Sequence, residues 1–260
     1  KNLSADSGTE GFLAVKSRKG DSHTLIVTLS NLFTLPVAKG APFKWEEYTP
    51  LARLALDEFV LWVNADTPYK TAGDYLAAVG KAPGKFKMGG TGSAQEDQIV
   101  TIMIEQNAKV KFEYVAYKGG GEVAKKLAEK EIDSSVDNPA EARKLWKEGK
   151  VRPLGVFSPS RMQAAGDEWK GIATMRSQSV PVDYVMLRGI FGPPDLPKDA
   201  EAYYVDLLKK VVKSPAFKEY LKSNALKEAW LSGGNFKTWL SQQDDLHRRM
   251  LTSAGLSGSK

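Results

Sequence analysis

Cysteine is absent from the 260 residues. That excludes disulfide scaffolds, Cys-ligated zinc, iron–sulfur clusters and thiol nucleophiles together. Histidine is nearly absent, with only His23 and His247. Neither stands near a G-x-S-x-G nucleophile motif, so both read as surface or packing residues. No apolar run approaches the roughly 18 to 20 residues of a membrane helix; the stretch Phe59 to Val63 is typical. The chain also lacks a charged-then-apolar leader at Lys1, and a processed exported chain reads the same way. Walker A, EF-hand and H-E-x-x-H patterns are missing, which leaves no positive case for ATP, calcium or zinc and no cofactor expected.

What is present is an ordinary globular composition, 42% hydrophobic and 26% charged, with a formal net charge of +6. The excess of Lys and Arg favours encounter with small anions. It is not clustered: Lys85 with Lys87, Lys125 with Lys126 and Arg248 with Arg249 are short runs mixed with acids, so no nucleic-acid surface is expected.

Along the chain, HTLIVTL from His23 to Leu29 reads as a buried strand, ended by Ser30 and Asn31, and Glu58 to Val63 as a second. A strict alternation of helices and strands follows from Ala72 to Phe157, which implies a mostly parallel sheet with helices on both faces. Thr71 with Asp74 approximates a capping box, and Asn138 before Pro139 is an N-cap with proline at the first helical position. Beyond Ser158 the pattern is irregular for some 25 residues. A last strand, Tyr184 to Phe191, precedes helices only. Strands first, a self-contained βα block, then a late strand with terminal helices suggest two lobes: residues 1–64 with 188–260, and residues 65–187. The crossings fall near Trp62 to Pro68 and Val182 to Gly189; a single doubly wound domain with a helical tail is the alternative.

The sharpest local feature is Gly89-Gly90-Thr91-Gly92-Ser93, between a strand and a helix. Glycines allow close backbone approach, and N–H groups at a helix start hold anions, so an anion site and a ligand-free tight turn both fit. A dinucleotide fingerprint does not, because Gln95 stands where the third glycine belongs. Parallel units place Lys118 to Gly121 and Asp137-Asn138 at the same sheet edge, although a flexible loop and simple capping explain those residue types too. Glu96-Asp97 and Asp244-Asp245 are adjacent in helices and read as solvated faces. Tyr184 and Arg188 flank the return crossing, where an arginine can pair with a carboxylate or simply lie on a strand edge.

These pieces in order carry a resemblance. Pro83-Gly84-Lys85, the Gly89 to Ser93 turn, Val115 to Gly120, Glu148-Gly149-Lys150 to Leu154, and Phe191 to Pro197 resemble the extracytoplasmic solute receptors of tripartite tricarboxylate transporters, the Bug family. The resemblance implies an α/β, two-lobed periplasmic binding protein fold, each lobe a mostly parallel sheet flanked by helices. It implies a periplasmic, monomeric receptor without catalysis. Its ligand would be a small organic mono- or dicarboxylate held between lobes and passed to the membrane subunits of the transporter. Ligand contacts carried over by position are Gly90, Thr91, Gly92 and Ser93, supported by Asp137 and Asn138, with Leu29, Ser30 and Asn31 from the first lobe. Family members place a strand, a Pro-Gly-Gly loop and a helix ahead of the stretch matched by Lys1 to Gly20. That comparison leaves the first lobe short of one strand here, and residues ahead of Lys1 are expected. A small-molecule enzyme using the Gly89 to Ser93 turn for a phosphate or cofactor is the competing class.

Overall fold

The computed structural model describes all residues except 1, 2, 4, 163–166 and 259–260. The irregular connection after Ser158 therefore lies partly outside the described residues. The chain forms two compact units, one of residues 1–56, 186–221 and 228–260, the other of residues 57–185 and 222–227.

The first unit opens with α1 (Thr9–Lys16), β1 (Ile26–Thr28), α2 (Asn31–Lys39) and most of β2 (Thr49–Glu58). Its strand β1 is shorter than the apolar run that contains it. Asp21 accepts the His23 N–H at 2.8 Å and the Thr24 hydroxyl at 2.6 Å, and this turn holds residues 21 to 24 out of the sheet. At the other end the backbone enters α2 directly, with the Thr34 N–H donating to Ser30 O at 3.2 Å. The run is not buried as expected: Val27 is 71% exposed, because β1 lies at the end of its sheet and its outward residues have no covering layer.

The second unit carries β3 (Val60–Asn64), α3 (Ala72–Lys81), β4 (Lys87–Thr91), α4 (Glu96–Ala108), β5 (Glu113–Tyr117), α5 (Gly120–Ala128), β6 (Ser134–Asp137), α6 (Pro139–Lys147), β7 (Val151–Val156) and the short α7 (Asp167–Lys170). The sheet order is β5-β4-β6-β3-β7. Strand β4 runs parallel to β5 and β6, as the βα alternation requires, while β3 is antiparallel to both β6 and β7. The sheet is thus mixed. β3 enters from the first unit rather than from a βα crossover, so its direction is not set by the alternation. All five of its residues are buried, the mark of a strand covered on both faces.

The predicted capping box is present: Thr71 accepts the Asp74 N–H at 3.0 Å and Asp74 accepts the Thr71 N–H at 3.1 Å. The apolar faces of α5 and α6, Val123, Ala124, Leu127 and Ala142, pack on Trp62 and Trp169. Trp62, Trp146 and Trp169 meet with ring centroids 4.8 to 6.1 Å apart. Each large side chain buried there contributes about 1.5 to 3 kcal/mol or more to folding.

The chain then returns through β8 (Val185–Gly192), α8 (Lys198–Val211), α9 (Pro215–Ser223), β9 (Lys227–Ser232) and α10 (Gly233–Ser253). The first unit's sheet has the order β1-β8-β2-β9, with β1 antiparallel to β8. Strand β9 corrects the expectation of helices only. Its KEAWLS sequence has weak strand propensity, and pairing at the sheet edge overrides it. His247 proves to be a packing residue: it is 1% exposed, stacks on Phe33 at 5.2 Å, and its Nδ1 lies 2.8 Å from Gln243 O.

Candidate functional site

In the second unit the Gly-rich turn has structural causes for each glycine. A Cβ at Gly90 would stand 2.5 Å from the Tyr114 hydroxyl and 2.6 Å from Asp97 Cβ, and Gly92 has φ +60°. The turn's backbone donors are largely engaged within the protein. Thr91 N–H donates to Asp97 Oδ2 at 2.6 Å, Gly92 N–H to Tyr117 O at 2.9 Å and Ala94 N–H to Gln98 Oε1 at 2.6 Å. Thr91 and Gly92 therefore shape the site through their backbone bonds to the protein itself. What faces outward from this turn is Ser93, which is exposed, beside the start of α4.

Asp97 and Glu96 are buried, not solvated as their position in the sequence suggests. The first turn of α4 faces the ends of β4 and β6, so its acids are enclosed. Burial first, then Glu96 and Glu141, push Asp97 up to about 7 despite the opposing Thr91 hydrogen bond.

The other two loops at this edge meet one another. A Cβ at Gly120, the first residue of α5, would lie 2.6 Å from Asp137 Oδ1 and 2.7 Å from Glu141 Cγ. Glycine thus lets the α5 start approach both carboxylates. Asp137, at the end of β6, is 1% exposed. Its Oδ1 accepts the Asn138 N–H at 3.2 Å, while Oδ2 has no hydrogen-bond partner. Burial, then Asp97, Glu141 and Asp57, raise its carboxyl well above the usual range. Asn138 occupies the N-cap position of α6, but its side chain makes no cap bond and its Nδ2 is buried without a partner. Capping does not account for Asn138.

In the first unit, Ser30 is buried and its Oγ accepts the Leu187 N–H at 3.4 Å, which ties β8 to the α2 start. Leu29 and Asn31 line a cavity of about 550 Å³ together with Phe12, Val15 and Val27. Asn31 Nδ2 donates to Ser7 O at 3.3 Å. Arg188 is half-buried on β8. Tyr184, at the end of the second unit's main segment, is buried; its ring stands edge-on to Phe59 at 5.3 Å, and its N–H donates to Phe157 O at 2.8 Å.

Sequence reasoning singled out Gly90 to Ser93, Asp137 and Asn138, and the structure brings these to one edge of one sheet. It read Asp97 as part of a solvated face and passed over Glu141. Two acids in the first turn after a Gly-rich loop were the available signal. Among the described residues no group of His, Asp and Glu has the arrangement of a metal site. No helix among them is long and apolar enough to cross a membrane.

Two α/β units built on mixed sheets, with glycine turns at the strand ends, define the periplasmic binding protein architecture. The chain belongs to the tripartite tricarboxylate transporter receptor family, whose sequence pattern it matches over residues 2–256. It is 26% identical over 211 residues to the UPF0065 protein in the gbd 5' region of Cupriavidus necator. That match covers 80% of this chain, and the chain spans only 62% of the length of that relative. Two solved structures share the fold. Rpa4515 of R. palustris, with adipate, superposes with a TM-score of 0.88 at 17% identity, covering 97% of this chain and 85% of that one. MatC from Rhodopseudomonas palustris, with bound malate, gives 0.80 at 17% identity, covering 95% and 85%.

Proposed function

We propose that this protein is an extracytoplasmic receptor that captures a small organic mono- or dicarboxylate and delivers it to the membrane subunits of a tripartite tricarboxylate-type transporter. The family match over nearly the whole chain carries the reading. The adipate and malate of the two structural relatives support a carboxylate as the ligand class. Binding without chemical turnover is the corresponding activity, in the periplasm. In the second unit Ser93 and Asn138 are the donors proposed to meet the ligand, positioned by the Thr91, Gly92 and Asp137 backbone. In the first unit Leu29, Asn31 and Arg188 are the proposed contacts, with Ser30 holding the local backbone; in the second unit Tyr184 packs beside Phe59.

A thermal-shift screen against adipate, malate, succinate, citrate and monocarboxylates tests this. A ligand at one hundred times its Kd adds about 2.7 kcal/mol to stability, which is readily read as a higher Tm. Stabilisation by phosphorylated cofactors with none by any carboxylate would overturn the reading.

A further inference from the structure

Helix α8 carries apolar residues on two faces. Tyr204, Val205 and Leu208 pack inward on Leu51, Ile190 and Leu196. Tyr203, Leu207 and Val211, spaced i, i+4 and i+8 and so aligned along another face, are all exposed, Tyr203 to 63%. A surface helix needs one apolar face to fold against its core, and the core leaves this second one unexplained. Tyr220 of α9, its ring stacked on Phe217 at 6.1 Å, is 55% exposed. Four of the six large hydrophobic side chains exposed among the described residues thus fall in these two helices. Positive charge gathers on the same segment. Past Asp206, residues 207–221 hold Lys209, Lys210, Lys213 and Lys218, all exposed, against Glu219 alone, which amounts to half of the formal net charge of +6. Divided between two helices, this excess does not show as a run in the sequence. Among the described residues none of the four is in an ion pair; that of α8, Lys198 with Glu201 at 2.8 Å, lies in its first turn. Complementing the helix dipole accounts for Lys209 and Lys210 in the last turn of α8, but not for Lys213, Lys218 or the apolar stripe.

We propose that the exposed side of α8 and α9 is a docking surface for a bilayer with anionic lipid headgroups, which holds the protein beside the membrane. The inference rests on the receptor reading only for the presence of a membrane, and not on which solute is bound. Lipid fits this surface better than a protein partner does, because its cations are all lysine. Protein interfaces are depleted in lysine and enriched in arginine, whereas a lysine can lay its methylenes along an apolar surface and keep its ammonium among headgroups. Tyrosine likewise sets an apolar ring and a polar hydroxyl at such a boundary. The attachment is peripheral and reversible: each lysine near an anionic leaflet changes the partition about fivefold, and the stripe adds a small apolar contact.

Co-sedimentation of the full chain with phosphatidylcholine vesicles, with and without about one third phosphatidylglycerol, tests it. The chain should bind the anionic vesicles and not the neutral ones, and added salt should weaken the binding. Lys209→Gln with Lys213→Gln should weaken it roughly twenty- to thirtyfold, and Tyr203→Ser with Leu207→Ser about threefold or more. All four side chains are exposed, so the Tm should stay near that of the wild type. Lys85→Gln with Lys87→Gln removes the same charge from exposed positions of the second unit and should change binding by about twofold at most. Equal losses from the two lysine pairs would reduce the effect to net charge. Binding of polyglutamate as tight as that of the anionic vesicles would assign the surface to an acidic protein. Either result, or no binding to anionic vesicles, overturns the proposal and leaves the receptor reading standing, since the carboxylate screen tests that reading separately.

Discussion

Asp97 closes the Gly-rich turn on itself: its Oδ2 accepts the Thr91 N–H across 2.6 Å while the side chain is only 5% exposed. The turn is thus held by a carboxylate of the following helix, and the geometry of Gly92 and Ser93 depends on that bond. An ionised carboxylate buried among other acids is costly, whereas the hydrogen bond it accepts offsets part of that cost.

The cost gives a pH signature. Burial displaces Asp97 upward to about 7 from the 3.8 of a free aspartate. The folded state therefore binds protons more tightly than the unfolded chain between those values, and this group's contribution to stability falls as pH rises from about 4 to about 7. Asp97→Asn should remove that fall. Its stability relative to wild type should improve between pH 5 and pH 8 by on the order of 2 kcal/mol, read from urea melts at each pH. A constant difference across the range would show that Asp97 is not displaced.

His247 acts in the opposite direction. Burial lowers it from 6.5 to about 4, so its contribution is complete above about pH 6.5 and is lost as pH falls toward 4. His247→Phe, which keeps the stacking on Phe33, should flatten the acid side of the stability profile. His247→Ala should cost roughly 2 to 4 kcal/mol at neutral pH through the cavity it leaves. An Ala variant as stable as wild type in denaturant melts would contradict the packing role.

Ser93 tests the site directly. It is exposed, so Ser93→Ala should leave the Tm within a degree or so of wild type while weakening carboxylate binding about ten- to one-hundred-fold if its hydroxyl contacts the ligand, and less through a water. Unchanged affinity in calorimetry would place the ligand elsewhere. Gly92→Val is the contrasting change. At φ +60°, with a Cβ 2.8 Å from Gln95 Cδ, it strains the turn. It should cost about 1 to 3 kcal/mol of stability as well as affinity.

In the second unit's core, Trp62→Ala removes a ring packed edge-on to both Trp146 and Trp169. A loss of about 3 to 5 kcal/mol is expected from denaturant unfolding, along with quenching or shift of the tryptophan fluorescence. A loss below about 1 kcal/mol would mean that the cluster relaxes to fill the space.

Much of the second unit was legible in the sequence. Its alternation from Ala72 to Phe157, the Thr71–Asp74 box and the proline at the start of α6 are local features, decided by propensity, period and capping within a few residues. The glycines at 89, 90 and 92 also announced a tight strand-to-helix turn. The length of β1, the existence of β9 and the burial of His247 were not legible. Each is set by a partner far away in the chain: the end of a sheet, a neighbouring strand, the face of α2.

The same division runs through the candidate site. The residues of the turn were visible as a motif, and Asp137 and Asn138 as the end of a strand before a helix. That Asp97 is buried against the turn, and that Gly120 brings α5 onto Asp137 and Glu141, only the tertiary structure decided. A carboxylate's environment depends on which elements pack over it, and adjacency in the sequence carries no information about that. Desolvation and the charges of neighbours on separate helices and strands set apart Glu96, Asp97 and Asp137, which are buried at this edge, from the exposed Glu141.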